Sequence, residues 1–203
     1  MLSYARALPI NMERFFSYIA QYVRLSEAEK KFVRNHAGLR SFRKNDYYLY
    51  RGETKARWCF LLSGMTAGCY TDHAGKEYIH WISAQHDYFT GTKHPFSTRS
   101  AELDIRFLQR STVLEFPLLV IREQQQQHQA FSEFLHLLKQ RKLESYRRHL
   151  QLMHLPSEDR YTAMAHLFPK LIQQLPAKNI QAFLGIRSST YYLSMKKYLR
   201  NHH

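Results

Sequence analysis

The stretch Leu175–Arg200 reads LPAKNIQAFLGIRSSTYYLSMKKYLR and is the most informative part of the chain. A short helical segment runs to Leu184, Gly185 interrupts it, and a second helical segment begins within three residues. Two helices joined by a short turn that contains glycine are typical of a helix-turn-helix, whose second helix enters the major groove of DNA. The pattern therefore predicts a helix-turn-helix over these residues.

The charge of the chain favours a polyanionic partner. The 203 residues include 30 basic and 16 acidic side chains, which gives a net charge of +14. An excess of this size indicates nucleic acid first and an anionic membrane surface second. The alternative is a basic protein whose charge serves only its solubility.

The hydropathy pattern predicts a cytoplasmic protein that is not bound to a membrane. No apolar run approaches the about 20 residues needed to span a bilayer. Residues 1–14 carry charges and Pro9, and they lack the apolar core of a signal peptide.

Cys59 and Cys69 are the only cysteines, and both lie in strand-like sequence, so we expect buried reduced thiols. Two cysteines cannot form a four-thiolate zinc or iron–sulfur site. The histidine pairs considered as metal ligands are His80 with His86 and His202 with His203. Their spacing matches no closed metal site, so we predict neither a metal nor a cofactor.

The first part of the chain predicts two helices. Apolar residues recur at helical spacing from Ile10 to about Arg24. Ser26 followed by Glu29 predicts a capping box that opens a second helix, which ends at Gly38.

Residues 39–117 have the pattern of an antiparallel β-structure. Short aromatic and β-branched runs alternate with turn signals, and strands are predicted over 58–62, 65–69, 78–82 and 112–116. Several short strands at regular spacing predict a sandwich or barrel.

One long helix is predicted at about residues 118–154, because no proline occurs between Pro117 and Pro156. We predict that its apolar positions form a dimer contact; they are Phe131, Phe134, Leu138, Leu143, Tyr146 and Leu150. From Leu143 onwards the spacing is that of a coiled-coil seam, whereas the step from Leu138 to Leu143 breaks the phase. A helix that lies back on its own domain is the alternative.

A hinge is predicted at Leu155–Glu158, where Ser157 is expected to cap the next helix. This hinge divides the chain into a predicted sensor domain, residues 1–154 with the long helix, and a helix-turn-helix domain, residues 155–203.

The order of these parts resembles the Crp/Fnr family of bacterial transcription regulators, and in particular its short Bacteroidetes-type subtype. The matching segments are Leu25–Glu29, Arg51–Glu53, Phe60–Gly64, Asp72–Glu77, Ser111–Leu114, Ser157–Tyr161, Phe168–Leu171 and Ile180–Ile186. The resemblance implies an α+β fold: N-terminal helices, an antiparallel β-roll (double-stranded β-helix or jelly roll) like that of cyclic-nucleotide-binding domains, a long dimerisation helix and a C-terminal helical domain. It also implies a homodimer that places two recognition helices in successive major grooves of double-stranded DNA. RNA polymerase is a further partner that we consider on the same basis.

The resemblance also directs attention to an effector pocket, formed here by Gly91, Thr92, Arg99 and Ser100. Relatives that bind cyclic nucleotides hold the ribose with a Gly-Glu pair and the phosphate with an Arg-Ser/Ala-Ala segment. In this chain Thr92 stands where the glutamate would be, and Arg99 lies closer to Gly91 than that arrangement requires. We therefore expect a pocket that binds another small molecule or none.

The helix-turn-helix also departs from the pattern of its relatives. Gln181 replaces a small residue between the two helices, and Arg187 replaces the usual capping residue, so Ser188 is expected to cap the second helix. Tyr192 and Leu193 replace a Ser-Arg pair that relatives point at bases. We predict that Tyr191, Leu193 and Tyr198 are core residues, and leave Tyr192 open between core and surface.

The predicted DNA-binding residues are Arg187, Ser188, Ser189, Thr190, Tyr192, Lys196, Lys197 and Arg200. Arg187 can make a bidentate contact with guanine, whereas Lys196 and Lys197 are expected near phosphates. We predict a DNA-binding transcription regulator that is a homodimer, binds a two-fold-symmetric operator and is not gated by cyclic AMP. No catalytic motif indicates an enzyme. The alternative is a sensor or interaction protein with a degenerate helix-turn-helix and only non-specific DNA affinity.

Overall fold

The computed structural model describes the backbone of residues 2–200 and the side chains of residues 9–123 and 127–200. The helices are α1 Leu2–Ile19, α2 Glu27–His36, α3 Leu118–Gln127, α4 Gln129–Met153, α5 Arg160–Leu167, α6 Pro169–Gln174, α7 Ala177–Leu184 and α8 Ser188–Arg200. The strands are β1 Gly38–Phe42, β2 Tyr47–Leu49, β3 Lys55–Ser63, β4 Thr66–Thr71, β5 Glu77–Ser83, β6 Tyr88–Gly91, β7 Asp104–Phe107 and β8 Ser111–Pro117.

The described chain falls into two compact units. The first contains residues 2–67 and 83–141, and the second contains residues 68–82 and 142–200. The sequence predicted a domain boundary between residues 154 and 155, and the two units meet at other positions in the chain. The two predicted domains therefore stay a prediction.

The strands form two four-stranded sheets, with the orders β1-β8-β3-β6 and β2-β7-β4-β5. The pairs β1 with β8, β3 with β8, β3 with β6 and β2 with β7 are all antiparallel. Together with the helices, these sheets confirm the predicted α+β fold with an antiparallel β-roll. Cys59 and Cys69 are buried free thiols on β3 and β4, as predicted.

The capping box predicted at α2 is confirmed. The Glu29 N–H donates to Ser26 Oγ over 3.2 Å, and the Ser26 N–H donates to Glu29 Oε2 over 2.7 Å. The same carboxylate accepts a hydrogen bond from the Phe131 N–H in the first turn of α4, at 3.0 Å. Burial by itself would raise the pKa of Glu29, but these N–H donors lower it overall. One carboxylate thus satisfies free backbone donors at the start of two helices.

The core of the first unit is aromatic and includes the beginning of α4. The Phe15 ring packs against Phe60 at 4.8 Å and against Phe134 at 6.0 Å between centroids. Phe131 and Phe134 are fully buried, and Leu138 is 1% exposed, within this same core.

The long helix predicted at residues 118–154 is two helices, because the helical backbone is interrupted at His128 between α3 and α4. Its predicted dimer contact is also corrected. Phe131, Phe134 and Leu138 are covered by their own chain, so they are not available to a second copy. By contrast, Leu143 is 46% exposed and Leu150 is 57% exposed. The reason lies in the broken phase, since a step of five residues turns the apolar stripe about 140° around the helix.

The second unit holds most of β4 and of β5, the end of α4 and the helices α5 to α8. Its first helix differs from the prediction: α5 begins at Arg160 rather than after Ser157, and its N-cap residue Asp159 makes no capping hydrogen bond with its side chain. Residues 157–159 form a turn instead. Among the described helices, none combines the length and apolar character required to cross a membrane.

Candidate nucleic-acid interface

The turn between α7 and α8 has the geometry that the sequence predicts. Gly185 ends α7 with φ 65° and ψ 22°, a left-handed conformation that glycine adopts without steric cost. The N–H groups of Gly185 and Ile186 both donate to the carbonyl oxygen of Gln181, the latter at 3.1 Å. These two hydrogen bonds close the end of α7 and turn the chain into α8.

The inner side of α8 is held by aromatic packing and by a hydrogen bond within the helix. Tyr191 is 5% exposed, and its ring meets Tyr161 of α5 edge to face at 5.4 Å between centroids. Ser194 is buried, and its hydroxyl donates to the Thr190 carbonyl oxygen over 2.8 Å. This packing fixes which side of α8 faces solvent.

The outer side of α8 carries nearly all of the predicted DNA-binding residues. Those that are exposed are Arg187, Ser188, Ser189, Tyr192, Lys196, Lys197 and Arg200, while Thr190 is half-buried. The sequence analysis left Tyr192 open between core and surface, and the structure shows it as a surface residue with 53% of its area exposed. The predicted residues thus all lie on α8 or at its N-cap position.

Two predictions for this helix are wrong. Leu193 is 71% exposed rather than part of the core, because the burial of Tyr191 and Ser194 turns its side chain to solvent. Ser188 is the first helical residue rather than the cap. The carbonyl oxygen of Arg187 accepts from the Tyr191 N–H at 2.9 Å, which places Arg187 in the N-cap position.

The segment around α8 is uniformly basic. Residues 160–203 contain no aspartate or glutamate, and their lysines and arginines are Arg160, Lys170, Lys178, Arg187, Lys196, Lys197 and Arg200. A surface with one sign of charge attracts a polyanion over a distance of about 10 Å at ordinary ionic strength.

Arg160 is a positioning residue that the sequence analysis missed. Its guanidinium donates to three carbonyl oxygens: that of Met153, the last residue of α4, at 3.1 Å, that of Leu155 just after α4 at 3.0 Å, and that of Leu184 at the end of α7 at 2.9 Å. A guanidinium group is suited to donating to several carbonyl oxygens at once, because its N–H donors have a fixed planar geometry. The sequence shows an arginine after the hinge but not which carbonyl groups it reaches.

His149 of α4 makes a second connection to the helix-turn-helix. Its Nε2 lies 2.8 Å from the Phe183 carbonyl oxygen, and its Nδ1 lies 3.1 Å from that of His80. The ring also stacks on the Phe183 ring at 4.0 Å. Burial lowers the pKa of His149, although both hydrogen bonds act in the opposite direction.

Solved structures of bacterial proteins share this architecture. FixK2 from Bradyrhizobium japonicum has a TM-score of 0.67 at 14% identity, over 82% of this chain and 86% of its own. A transcriptional regulator of the Crp/Fnr family from Eubacterium rectale has a TM-score of 0.66 at 12% identity, over 87% of this chain and 85% of its own. A protein with a cyclic nucleotide-binding domain from Listeria monocytogenes has a TM-score of 0.69 at 11% identity, over 94% and 91%.

The chain has the Crp/Fnr fold. No protein-family model matches the sequence, and no curated protein does. The likeness is therefore one of fold, and the side chains on α8 have to be interpreted from their own chemistry.

Of the effector residues predicted for this Crp/Fnr fold, Gly91 ends β6, and Thr92, Arg99 and Ser100 lie in the loop that follows it. Gly91 packs so closely on β3 that a Cβ atom would lie 2.3 Å from the Lys55 carbonyl oxygen. Thr92 is 4% exposed, and its hydroxyl donates to the His94 carbonyl oxygen over 2.9 Å. Arg99 is exposed and Ser100 is half-buried. Of the histidine pairs considered as metal ligands, His202 and His203 lie outside the described residues.

Proposed function

We propose that this chain is a DNA-binding transcription regulator of the Crp/Fnr type, which binds a two-fold-symmetric operator as a homodimer. The observation that carries the proposal is the outer side of α8, which is exposed and cationic and follows a turn with helix-turn-helix geometry. The Eubacterium rectale protein of the same fold is described as a transcriptional regulator, which supports this choice. RNA polymerase is a proposed partner of such a regulator.

The chemistry of α8 divides base reading from phosphate binding. Arg187 at the N-cap position can donate two hydrogen bonds to guanine O6 and N7, which is worth about 1–3 kcal/mol of discrimination. Lys196, Lys197 and Arg200 lie further along the same helix, where contacts with phosphate would add affinity without sequence information.

The proposed dimer contact is the second half of the α4 stripe. Leu143, Tyr146 and Leu150 are spaced by three and four residues, and each exposes more than two fifths of its surface: 46%, 42% and 57%. A repeat of three and four is that of a coiled-coil seam, in which a partner helix covers the apolar positions. Two copies joined along α4 would supply the two recognition helices that a symmetric operator requires.

We further propose that cyclic AMP does not gate this protein. Tyr48 and Phe89 meet edge to face at 5.1 Å across the two sheets, and Phe107 packs on Phe89 at 6.1 Å. All three side chains are buried, so aromatic rings occupy part of the interior of the β-roll. The inward hydroxyl of Thr92 is a neutral group where relatives use a carboxylate. A ligand-dependent rise in melting temperature with cyclic AMP would contradict this proposal.

Charge reversal on α8 tests the proposed DNA contact. We expect Lys196→Glu with Lys197→Glu to weaken binding to a random duplex and to reduce the salt slope of log K by about 2, since each lost phosphate contact contributes about 0.9. The matched control is Lys31→Glu with Lys44→Glu, two exposed lysines of the first unit, which lowers the net charge by the same amount. Equal losses in both double variants would show that only total charge matters and would overturn the assignment of α8.

A second candidate function is favoured by the exposed apolar residues of α8. Tyr192 and Leu193 expose 53% and 71% of their surfaces, which is a feature of interaction surfaces as well. An interaction protein of this kind would bind all duplexes alike. A regulator keeps an affinity gap of about 10³ or more between its operator and random DNA at physiological salt.

A further inference from the structure

The outer side of α8 has an apolar centre, Leu193, with polar and cationic side chains on the helical turns before and after it. Leu193 lies on the side of the helix away from the buried residues Tyr191 and Ser194, and it is 71% exposed. Ser189 precedes it by one turn, and Lys196 and Lys197 follow it by one turn, all exposed. Tyr192 adds a second exposed apolar side chain beside it.

An apolar side chain at this place restricts which bases can face it. Leucine offers no donor or acceptor, so polar base edges opposite it would lose water without gaining a partner. The one apolar group that a base pair presents in the major groove is the C5-methyl group of thymine. A thymine methyl against Leu193 therefore removes apolar surface from water on both sides.

The charges around Leu193 select DNA over a protein partner for this surface. The segment from residue 160 to residue 203 has no acidic side chain, and the exposed cations Lys196, Lys197 and Arg200 follow Leu193 on the same helix. A partner that covers Leu193 must bring negative charge close to these cations without burying an unpaired one. The phosphates that border the major groove meet this requirement.

We propose that Leu193, with Tyr192 beside it, contacts thymine methyl groups, so that the operator half-site has thymine opposite the centre of α8. Arg187 then faces the base pairs next to the helix N-terminus, where guanine is expected. This inference rests on the proposed function and makes Leu193 a specificity-determining residue.

Methyl deletion tests the inference directly. A duplex is first selected from a randomised library with the wild-type chain, and each thymine of the half-site is then replaced by deoxyuridine, which removes only the methyl group. We expect one or two positions at which wild-type affinity falls about fourfold, the size expected for one buried methyl group. With Leu193→Ala this effect should fall below about twofold at the same position. The control is Leu199→Ala, another exposed leucine of α8, which should keep the full effect.

The outcomes separate this inference from the function on which it rests. Selection without an enriched motif would overturn the proposed function itself. An enriched motif with no deoxyuridine-sensitive thymine, or one whose sensitivity survives Leu193→Ala, would overturn the thymine contact while the function stands.

Discussion

Gly185 is the residue on which the geometry between α7 and α8 depends, because its φ of 65° is a conformation that other residues reach only with strain. A Cβ atom built at this position would have Arg160 Nη1, at 3.6 Å, as its nearest contact. A substitution would therefore be strained in its backbone conformation and not in its packing. We expect Gly185→Ala to destabilise the second unit by about 1 kcal/mol. Gly185→Asn should cost less, since asparagine tolerates the left-handed region.

Urea unfolding of the three proteins measures this difference through the transition midpoint. If alanine and asparagine cost the same, the left-handed conformation is not the reason for glycine here. A wild-type midpoint in both variants would show that the turn can close in another way.

His149 predicts a dependence of stability on pH. Burial lowers its pKa in the folded chain, and the positive charge of Arg160 and the ring of His80 act in the same direction. The unfolded chain then binds more protons, so stability is present above the ordinary histidine pKa of about 6.5 and is lost as pH falls from there through the lower pKa of the folded state. We expect the melting temperature to drop less in His149→Gln than in the wild type between about pH 7.5 and about pH 5.5.

The control for this prediction is His136→Gln, since His136 is an exposed histidine of α4. It should show the same pH dependence as the wild type. A steeper drop in His149→Gln than in the wild type would mean that protonation of His149 stabilises the fold, which is opposite in sign to the prediction.

At the scale of elements, the predicted apolar stripe of α4 divides into a buried part, Phe131 to Leu138, and an exposed part that consists of Leu143, Tyr146 and Leu150. We expect Leu143→Glu with Leu150→Glu to convert the proposed dimer to a monomer, because two carboxylates would be buried against the partner helix. Sedimentation equilibrium of the two proteins gives their molecular masses. Gln151→Glu adds a carboxylate at an exposed position on another side of α4 and should leave the mass unchanged.

A wild-type chain that sediments as a monomer would contradict the proposed seam. So would a double variant that remains a dimer, since the contact would then lie elsewhere in the chain.

Local patterns in the sequence predicted some of the elements. The Ser26–Glu29 capping box, the strands β3, β4, β5 and β8 and the break at Gly185 depend on residues that are near one another in the chain, so their signals are present in short windows, whereas the strands β1, β2, β6 and β7 were not predicted. The hydrogen bond from Phe131 to Glu29 spans 102 residues and leaves no such signal. The sequence also did not reveal which side of α8 faces solvent, because Tyr191, Tyr192 and Leu193 place apolar residues on several sides of the helix. Only the packing of Tyr191 on Tyr161 decides that Leu193 faces solvent.

For the whole molecule, the charge and the fold point to the same kind of partner. The net charge of +14 alone would give binding to any polyanion, strongly dependent on salt. In the proposed regulator, sequence selectivity comes from the few exposed side chains of α8, and two-fold symmetry comes from the pairing of two chains. The central claim is that both properties occur together.

Selection of bound duplexes from a randomised library, carried out with the full chain at physiological salt, tests that claim most directly. We predict an enriched motif made of two inverted half-sites whose centres lie about one helical turn apart, bound at least about 10³ times more tightly than random DNA. A library that shows no enrichment, with all duplexes bound alike and released alike by salt, would contradict it.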